Sequence, residues 1–478
     1  MAIPAAAQLA ALDTAIAAEP TNAELHYLRA ALLAETGQAE AAQAGYLQAL
    51  ALDPAHFGAL NDLGALLYRT DFRSAAQVAY AEAVRRHPDN PVGRINLANT
   101  LLADGQIEAA RTEYAAALRL DPLHPDAHQG LANLHQHLGE TERADWHRQQ
   151  SYGAREIAHA PYQGSDDPCR VLILASAVGG NIRTRFLLPS DRFEAWILAV
   201  EAFTPKTALP AHDLVFNAVG DPDLAPEAPA AAARVLAHTD APVINRPERV
   251  TGTGRQAVAA RLADLPGVHA PRVRLVARGD LGAAAAEHGF PVLVRSPGYH
   301  TGQNFVRVER AEDLAAAAAG LPGEHLLLIE PLDARGPDGR WRKYRAMLVG
   351  GEIFPLHLAA SDDWKVHYFT SAMAGQPDLR AEEAAFLADM AGVIGPVAMA
   401  ALAEIAATLR LDYAGVDFGV GADGRLLLFE ANAAMVVFPP GPEPIWDYRR
   451  AAVDRVLAAA RHLMLRRAGH TPAPDDGR

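Results

Sequence analysis

The segment "DYAGVDFGVGADGRLLLFEANAAM", residues 412–435, sets Asp417, Glu430 and Asn432 among apolar neighbours. Residues i and i+2 of a strand face the same side, so Glu430 and Asn432 project together at the end of "LLLF". Asp417 ends the apolar run before the turn-forming "GADG" and can join them from the neighbouring strand. Two carboxylates and an amide are oxygen donors of the kind a hard cation such as Mg²⁺ takes. A surface hairpin with polar ends is the alternative. It accounts for "GADG" but not for Glu430 and Asn432 on a strand that reads as buried.

Other polar residues stand at the ends of apolar runs. Arg295 ends "FPVLVR", where a solitary charge is costly to bury without a partner, and an anion would be that partner. A loop carrying Gly298, Thr301, Gly302 and Gln303 follows it. Glu330 ends "HLLLIE", and Arg345 lies in "WRKYRAMLVGGEIFPLHLA", a hairpin turned by Gly350 and Gly351. The stretch "PLHLAASDDWKVHY" brings His357, Lys365 and His367 close together, suiting an anionic substrate group or equally a solvated loop. Lysine is scarce, only Lys206, Lys343 and Lys365, and the other basic residues are arginine. Cys169 is the only cysteine, so no intramolecular disulfide or cysteine metal cluster can form. It reads as structural, and no Ser–His or Cys–His nucleophile is evident.

Strands and helices must hold these groups. From Cys169 onward, apolar strands such as "CRVLILASAVGGN", "FEAWILAV" and "DLVFNAVGD" alternate with helical stretches such as "PEAPAAAARVLAHT". That alternation means an α/β region with a parallel sheet, whose ligands gather at strand C-termini. Gly180, Asn181, Asn217 and Asp221 lie at such ends as candidate substrate residues, and each is also readable as a turn residue or helix cap. Arg255 opens a helix expected to stop at Gly267, and a long helical segment is expected from about 381 to 409.

The first 150 residues follow another rule. Pro20, Pro54, Pro88 and Pro122 lie 34 residues apart. The same period carries Ala15, Ala49, Ala83 and Ala117, then Tyr46, Tyr80 and Tyr114, then Ala42, Ala76 and Ala110, with Gly37, Gly105 and Gly139 in phase. Small residues at this period, with proline after the second helix, resemble the tetratricopeptide repeat. The resemblance implies an all-α solenoid over 1–158, with repeats near 23–56, 57–90 and 91–124 and a partial repeat at each end. Its groove would bind a peptide or protein partner, or the solenoid would mediate self-association. The last helix is expected to run out near residue 160, and 159–168 reads as a linker.

Residues 166–465 resemble the ATP-grasp superfamily in its glutathione synthetase-like form. The resemblance rests on "FPVLVRSPGYHTGQ", a strand with a basic residue and a small glycine loop, and on "GVDFG" followed by "LLLFEAN". It implies an α/β substrate subdomain at 169–249, a small lid at 250–328 and a C-terminal subdomain at 329–468, with a disordered tail at 469–478. It also implies ATP held by Arg255, Arg295, Gly298, Thr301, Gly302, Gln303 and Glu330. Mg²⁺ would sit on Asp417, Glu430 and Asn432, and Arg345, Lys365 and His357 would be catalytic. Arg255 and Arg295 depart from the family, which places lysine at both positions; an arginine fork is not a lysine point charge. "AAMVVFPP" departs too, where the family often continues with a glycine-containing turn.

The implied reaction is ATP-dependent ligation of a carboxylate to an amine through an acyl phosphate. The competing readings are a repeat adaptor carrying a degenerate nucleotide-binding module, and phosphotransfer without ligation. A formal charge of −14 argues against nucleic acid and anionic membranes as partners. The N-terminus has no basic flank and its apolar run contains Asp13 and Glu19, so no signal peptide is expected. The apolar run from Met390 to Leu402 is short for a membrane span and contains Pro396, so the expected location is the cytoplasm.

Overall fold

The computed structural model describes residues 5–70, 72–153, 157–299, 302, 304–366, 372–441 and 443–471. Two compact units divide the chain, Met1–Glu156 and Ile157–Arg478.

The first unit is all helix. Helix α1 (Ala5–Ala18) precedes four hairpins: α2 (Ala23–Glu35) with α3 (Ala39–Leu52), α4 (Phe57–Arg69) with α5 (Arg73–Arg86), α6 (Pro91–Ala103) with α7 (Ile107–Leu120), and α8 (Pro125–His137) with α9 (Thr141–Gly153). The periodic alanines Ala42, Ala76 and Ala110 are fully buried, which lets paired helices approach closely. Tyr46, Tyr80 and Tyr114 are buried in the same phase, the Tyr80 ring against Gly64 and the Tyr114 ring against Gly130. Gly37, Gly105 and Gly139 have φ of 82°, 73° and 76°, the left-handed step that ends one helix and starts the next. The last hairpin is complete, where the sequence suggested a partial repeat. Its second helix is described as far as Gly153, and Ala158–Ala160, where the sequence suggested helix, is a strand of the next unit.

That last hairpin concentrates imidazoles. His128 Nδ1 and His147 Nδ1 share a hydrogen bond of 2.9 Å, and the His135 ring stacks on His147 at 5.3 Å. His135 Nδ1 also pairs with Glu140 at 2.7 Å, and Trp146 packs edge-on against His147. Burial, then His128 and His135, push the His147 imidazole down to about 4.

The second unit contains three sheets. The first, ordered β1-β3-β2-β4-β5, comprises β1 (Ala158–Ala160), β2 (Cys169–Ala175), β3 (Phe193–Ala199), β4 (Leu214–Asn217) and β5 (Val243–Ile244). All its pairs are parallel except β1 with β3. Helix α10 (Ala228–Leu236) covers one face, and α11 (Pro247–Val250) and α12 (Arg255–Leu262) follow. Helix α12 stops five residues before Gly267, and β6 (Val268–His269) begins right after that glycine.

The second sheet is antiparallel, ordered β7-β10-β8-β9, from β7 (Val273–Ala277), β8 (Val292–Arg295), β9 (Phe305–Val308) and β10 (His325–Ile329). Helices α13 (Leu281–His288) and α14 (Leu314–Ala319) supply its core through Leu281, Ala285, Leu314 and Ala318. The third sheet is ordered β12-β11-β13-β14-β6, with β11 (Trp341–Val349), β12 (Glu352–Ser361), β13 (Tyr413–Val420) and β14 (Leu426–Asn432). Helices α15 (Pro377–Ala388), α16 (Met390–Leu409) and α17 (Arg450–Arg467) complete this layer.

The expected single helix over 381–409 is therefore two, and α16 is itself broken at Gly395 (φ 79°) beside Pro396, which cannot continue a helix's hydrogen bonds. Among the described residues α16 is the one helix long and apolar enough to cross a membrane. Its Ile394, Leu402 and Ile405 lie in the core of the third sheet's layer.

Asn245 ties the first sheet to the third. It is fully buried with φ 58°, a left-handed conformation that asparagine tolerates better than most residues. Its side chain bonds both backbone groups of Tyr413, at 2.7 and 2.9 Å, and its N–H donates to Asp412 Oδ2 at 3.1 Å. Asn217 donates to the Asn245 carbonyl at 2.8 Å.

Two predictions follow from these packing arrangements. An unfolded imidazole takes up its proton near pH 6.5, whereas folded His147 holds out to about pH 4. Stability of the helical unit should thus fall as pH drops through that window and level off below it. Helical circular dichroism of the full chain should show this slope, His147→Gln should flatten it, and an unchanged slope in the variant would contradict the assignment. Asn245→Ala should destabilise the α/β unit by at least about 3 kcal/mol, from left-handed strain and two unpaired buried backbone groups. Urea denaturation measures this; a loss of a few tenths would leave Asn245 no linking role.

Candidate functional site

Strand register builds the centre of the site. On the third sheet, His357 of β12 pairs with Arg345 of β11, Arg345 with Asp417 of β13, and Asp417 with Glu430 of β14. Directly paired residues share one face, so these four side chains form a row across four strands. Register shifts fall between Arg345 and Ala346 and between Asp417 and Phe418. Such bulges re-aim side chains locally. Asp417 lies inside β13, five residues into the strand, and not at its tip as the sequence suggested. Its partner Glu430 and then Asn432 do end β14.

Electrostatics tie the row together. Asp417 is only 3% exposed, and Arg345 grips it with both nitrogens, Nε at 2.6 Å and Nη2 at 2.9 Å. Lys343 Nζ adds a contact at 3.2 Å. Burial alone would push the Asp417 carboxyl up, but Arg345 and Lys343 outweigh it and hold it well below the usual carboxylate range. His357 is lowered well below the ordinary imidazole range by burial, then by Arg345, so it is neutral at pH 7. Glu430 accepts from Arg255 Nη2 and Asn432 Nδ2, both at 2.8 Å. That leaves Asn432 Oδ1 buried with no hydrogen-bond partner among the described residues.

This row forms part of the wall of a cleft of about 630 Å³. Gly180, Asn181, Arg255, Arg295, Gly302, Glu330, Arg345, His357, Lys365, Asp417, Glu430 and Asn432 all line it, so most of the residues singled out in the sequence meet here. Its cationic lining consists of Arg183, Arg255, Arg295, Arg307, Arg342, Arg345, Arg449, Lys343 and Lys365, against the carboxylates of Glu330, Asp417 and Glu430. Arg307, Arg342 and Arg449 are paired with carboxylates outside the lining, Glu309, Asp338 with Glu382, and Glu383 respectively. Arg183, Arg295 and Lys365, with no ion pair among the described residues, leave the cleft a net positive character that favours an anion.

Arg295, at the end of β8, is the sharpest instance. It is 7% exposed, donates to the Tyr299 carbonyl and lies over the Phe305 ring at 5.1 Å. Among the described residues no carboxylate stands within ion-pair distance. Burial, then Arg255, push its guanidinium down to about 10, which still leaves it charged at pH 7. Lys365 Nζ donates to the Phe305 carbonyl at 3.0 Å, so two cations meet at one residue of β9. Glu330 accepts from the Arg272 N–H at 3.0 Å and Nε at 3.2 Å. Burial opposes its ionisation, yet these bonds hold its carboxyl below the usual range.

Three sequence candidates lie elsewhere. Gly298 and Asp221 line a small void of about 10 Å³ that shares Arg255, Arg295, Glu430 and Asn432 with the cleft. Asp221 there accepts from the N–H groups of Asp223 and Leu224, the cap reading. Asn217 is fully buried and lines neither space; its amide holds Asn245 and the Val219 N–H, so its position is structural. Thr301, Gln303 and His367 lie outside the described residues. Cys169 is buried, and its thiol is pushed up to about 12 by burial and Asp213, which makes it inert. Sequence reasoning missed Lys343 and Arg183. Lys343 could have been found, since it stands two residues before Arg345 on one strand and so on the same face.

Comparison with known proteins bears on the first unit. Two tetratricopeptide repeat family models match, over residues 11–44 and 91–134. No curated protein matches the chain. Similar solved structures include MamA (residues 41 to the end) from Desulfovibrio magneticus RS-1, at 23% identity over 31% of this chain and 85% of that one, TM-score 0.29. Another is PilF of Pseudomonas aeruginosa, at 22% identity over 31% of this chain and 67% of that one, TM-score 0.29.

Asp417 should prove the electrostatic centre of the cleft. Asp417→Asn leaves the half-buried Arg345 and Lys343 facing each other without their anion and should cost about 3 kcal/mol in urea denaturation. A cost under about 1 kcal/mol would mean the pair behaves like an exposed one. With the repeat models and the helical hairpins in agreement, residues 11–134 are an array of tetratricopeptide repeats, followed by a mixed α/β region of three sheets.

Proposed function

We propose that the α/β region is an ATP-grasp ligase that joins a carboxylate to an amine with ATP and Mg²⁺. The observation that carries this reading is the row of Asp417, Glu430 and Asn432 along one wall of a cleft whose other groups are mostly cationic. An all-oxygen donor set suits Mg²⁺, and the unpartnered buried Oδ1 of Asn432 is an atom that such an ion would satisfy. When bound, the ion supplies charge neutralisation at the phosphates.

The chain's own groups divide the remaining work. Arg255 and Arg295 hold the triphosphate, with the backbone at Gly298 and at Gly302 approaching it closely. Glu330 takes the nucleoside end. Arg345 and Lys343, which share Asp417 in the free protein, stabilise charge on the transferring phosphoryl group. The substrate carboxylate oxygen attacks the γ-phosphorus as the bond to the ADP oxygen breaks, giving an acyl phosphate. The amine then attacks the acyl carbon, phosphate leaves, and the nitrogen loses a proton to give the amide. Lys365 binds an anionic substrate group, and neutral His357, the cross-strand partner of Arg345, is not a charge carrier. The repeat unit offers a surface for a protein or peptide partner, or for a second copy.

A second reading, a nucleotide-binding module without catalysis, draws on arginine at both 255 and 295 and on the neutralisation of Asp417 by internal cations. Calorimetry with Mg-ATP and an ADP-release assay across a panel of carboxylic acids and amines separates the two. The ligase reading expects nucleotide binding, amine-dependent ADP release and its loss in Glu430→Ala. Binding with no ADP release would favour the module, and absence of binding would end both.

A further inference from the structure

One motif of the sequence is left unused by that reading: "AAMVVFPP", which follows Asn432 where the resembled family often turns on glycine. Here the chain runs on from β14 with its side chains in alternation. Ala433 and Val437 are buried in the core, while Ala434, Val436 and Phe438 are half-buried and line the cleft. The result is an apolar stripe beside the oxygen-rich row, extended by Leu356 and Val453.

The stripe is fixed in place. A Cβ on Gly220, at the end of the first sheet, would lie 2.9 Å from the Ala434 backbone, so that position needs glycine for the two chains to approach. Tyr413 donates its hydroxyl to the Met435 carbonyl at 3.2 Å, and Phe438 packs edge-on against Phe186 at 6.3 Å.

A cation stands beside Phe438. Arg183 lines the cleft with its guanidinium 5.4 Å from the centre of the Phe438 ring, and among the described residues it has no carboxylate partner. The loop before it is rigidly tied. Asn181 bonds both backbone groups of Ser176, the Ile182 N–H donates to Ala218, and Gly180 accepts from Gly220 and Asp221. Arg183 is thus held at the C-terminal ends of the parallel strands β2 and β4, where ligands of such sheets gather.

We infer that Arg183 and the stripe of Ala434, Val436 and Phe438 form a subsite for a carboxylic acid with an apolar body. The carboxylate lies on the guanidinium, and the hydrocarbon or aryl part lies along the stripe. This deepens the ligase reading and rests on it for one point only, that the ligand is the acid substrate. The binding itself does not depend on ATP.

The test uses 3-phenylpropionate and its uncharged counterpart 3-phenylpropanol as probes, titrated calorimetrically into the full chain with and without a non-hydrolysable ATP analogue and Mg²⁺. Phenylpropionate should bind and phenylpropanol should bind at least about tenfold more weakly. Arg183→Gln, at an exposed position that folding does not depend on, should weaken phenylpropionate by about tenfold or more while leaving the nucleotide analogue's affinity unchanged. Val436→Asp should weaken it as well. Equal binding in Arg183→Gln, or no binding to the unaltered chain, overturns the inference. So does a parallel loss of the nucleotide analogue, which would make Arg183 a phosphate contact. If the analogue never binds but phenylpropionate binds through Arg183, the subsite stands and the ligase reading falls.

Discussion

A carboxylate sealed almost completely from water must find its counter-charge inside the protein, and Asp417 finds it in Arg345 and Lys343. This cluster sets the character of the α/β region. It fixes the register of β11 against β13, because a one-residue slip would turn every partner to the opposite face. It also places the row from His357 to Glu430 on the cleft side of the third sheet. An ion cluster of this kind is a weak source of stability, since desolvation offsets much of the attraction. What it provides is a set of charges held ready, in a pocket that water does not fully screen.

The other elements serve to hold the cleft around that cluster. The left-handed Asn245 links the first sheet to the start of β13, so the loops at the ends of β2 and β4 face the same space as Asp417. The small antiparallel sheet brings Arg295 and Phe305 to the same cleft. Each of the three sheets thus contributes to the lining. Cations from all three converge on a volume of about 630 Å³, within the usual range for a small-molecule site.

Much of this was legible in the chain before any coordinates. The 34-residue period gave the repeats because a solenoid imposes one packing rule on every unit, and alanine and tyrosine columns record it directly. The polar residues ending apolar runs marked the cleft, since polar atoms at buried strand ends need a reason to be there. What stayed hidden depends on pairing between distant strands. Nothing local says that Arg345 faces Asp417, and Asp417 therefore looked like the tip of a strand when it stands inside one. Asn217 looked like a ligand residue because its strand end resembles one, yet its amide is consumed by Asn245, a contact that spans 28 residues. Helix ends also escaped. Gly395 interrupts an unbroken apolar run, and Ala158–Ala160, read as helix, takes up strand pairing with β3.

The account depends on a cation–phosphate complex lying against Glu430 and Asn432. The most direct measurement is anomalous diffraction from crystals of the full chain grown with Mn²⁺ and a non-hydrolysable ATP analogue. The account predicts a manganese peak within coordination distance of Glu430 and Asn432 Oδ1, with phosphate oxygens completing its shell and Arg295 on the triphosphate. A peak elsewhere, or nucleotide density absent from the cleft while Asp417 keeps its two cations, would contradict it.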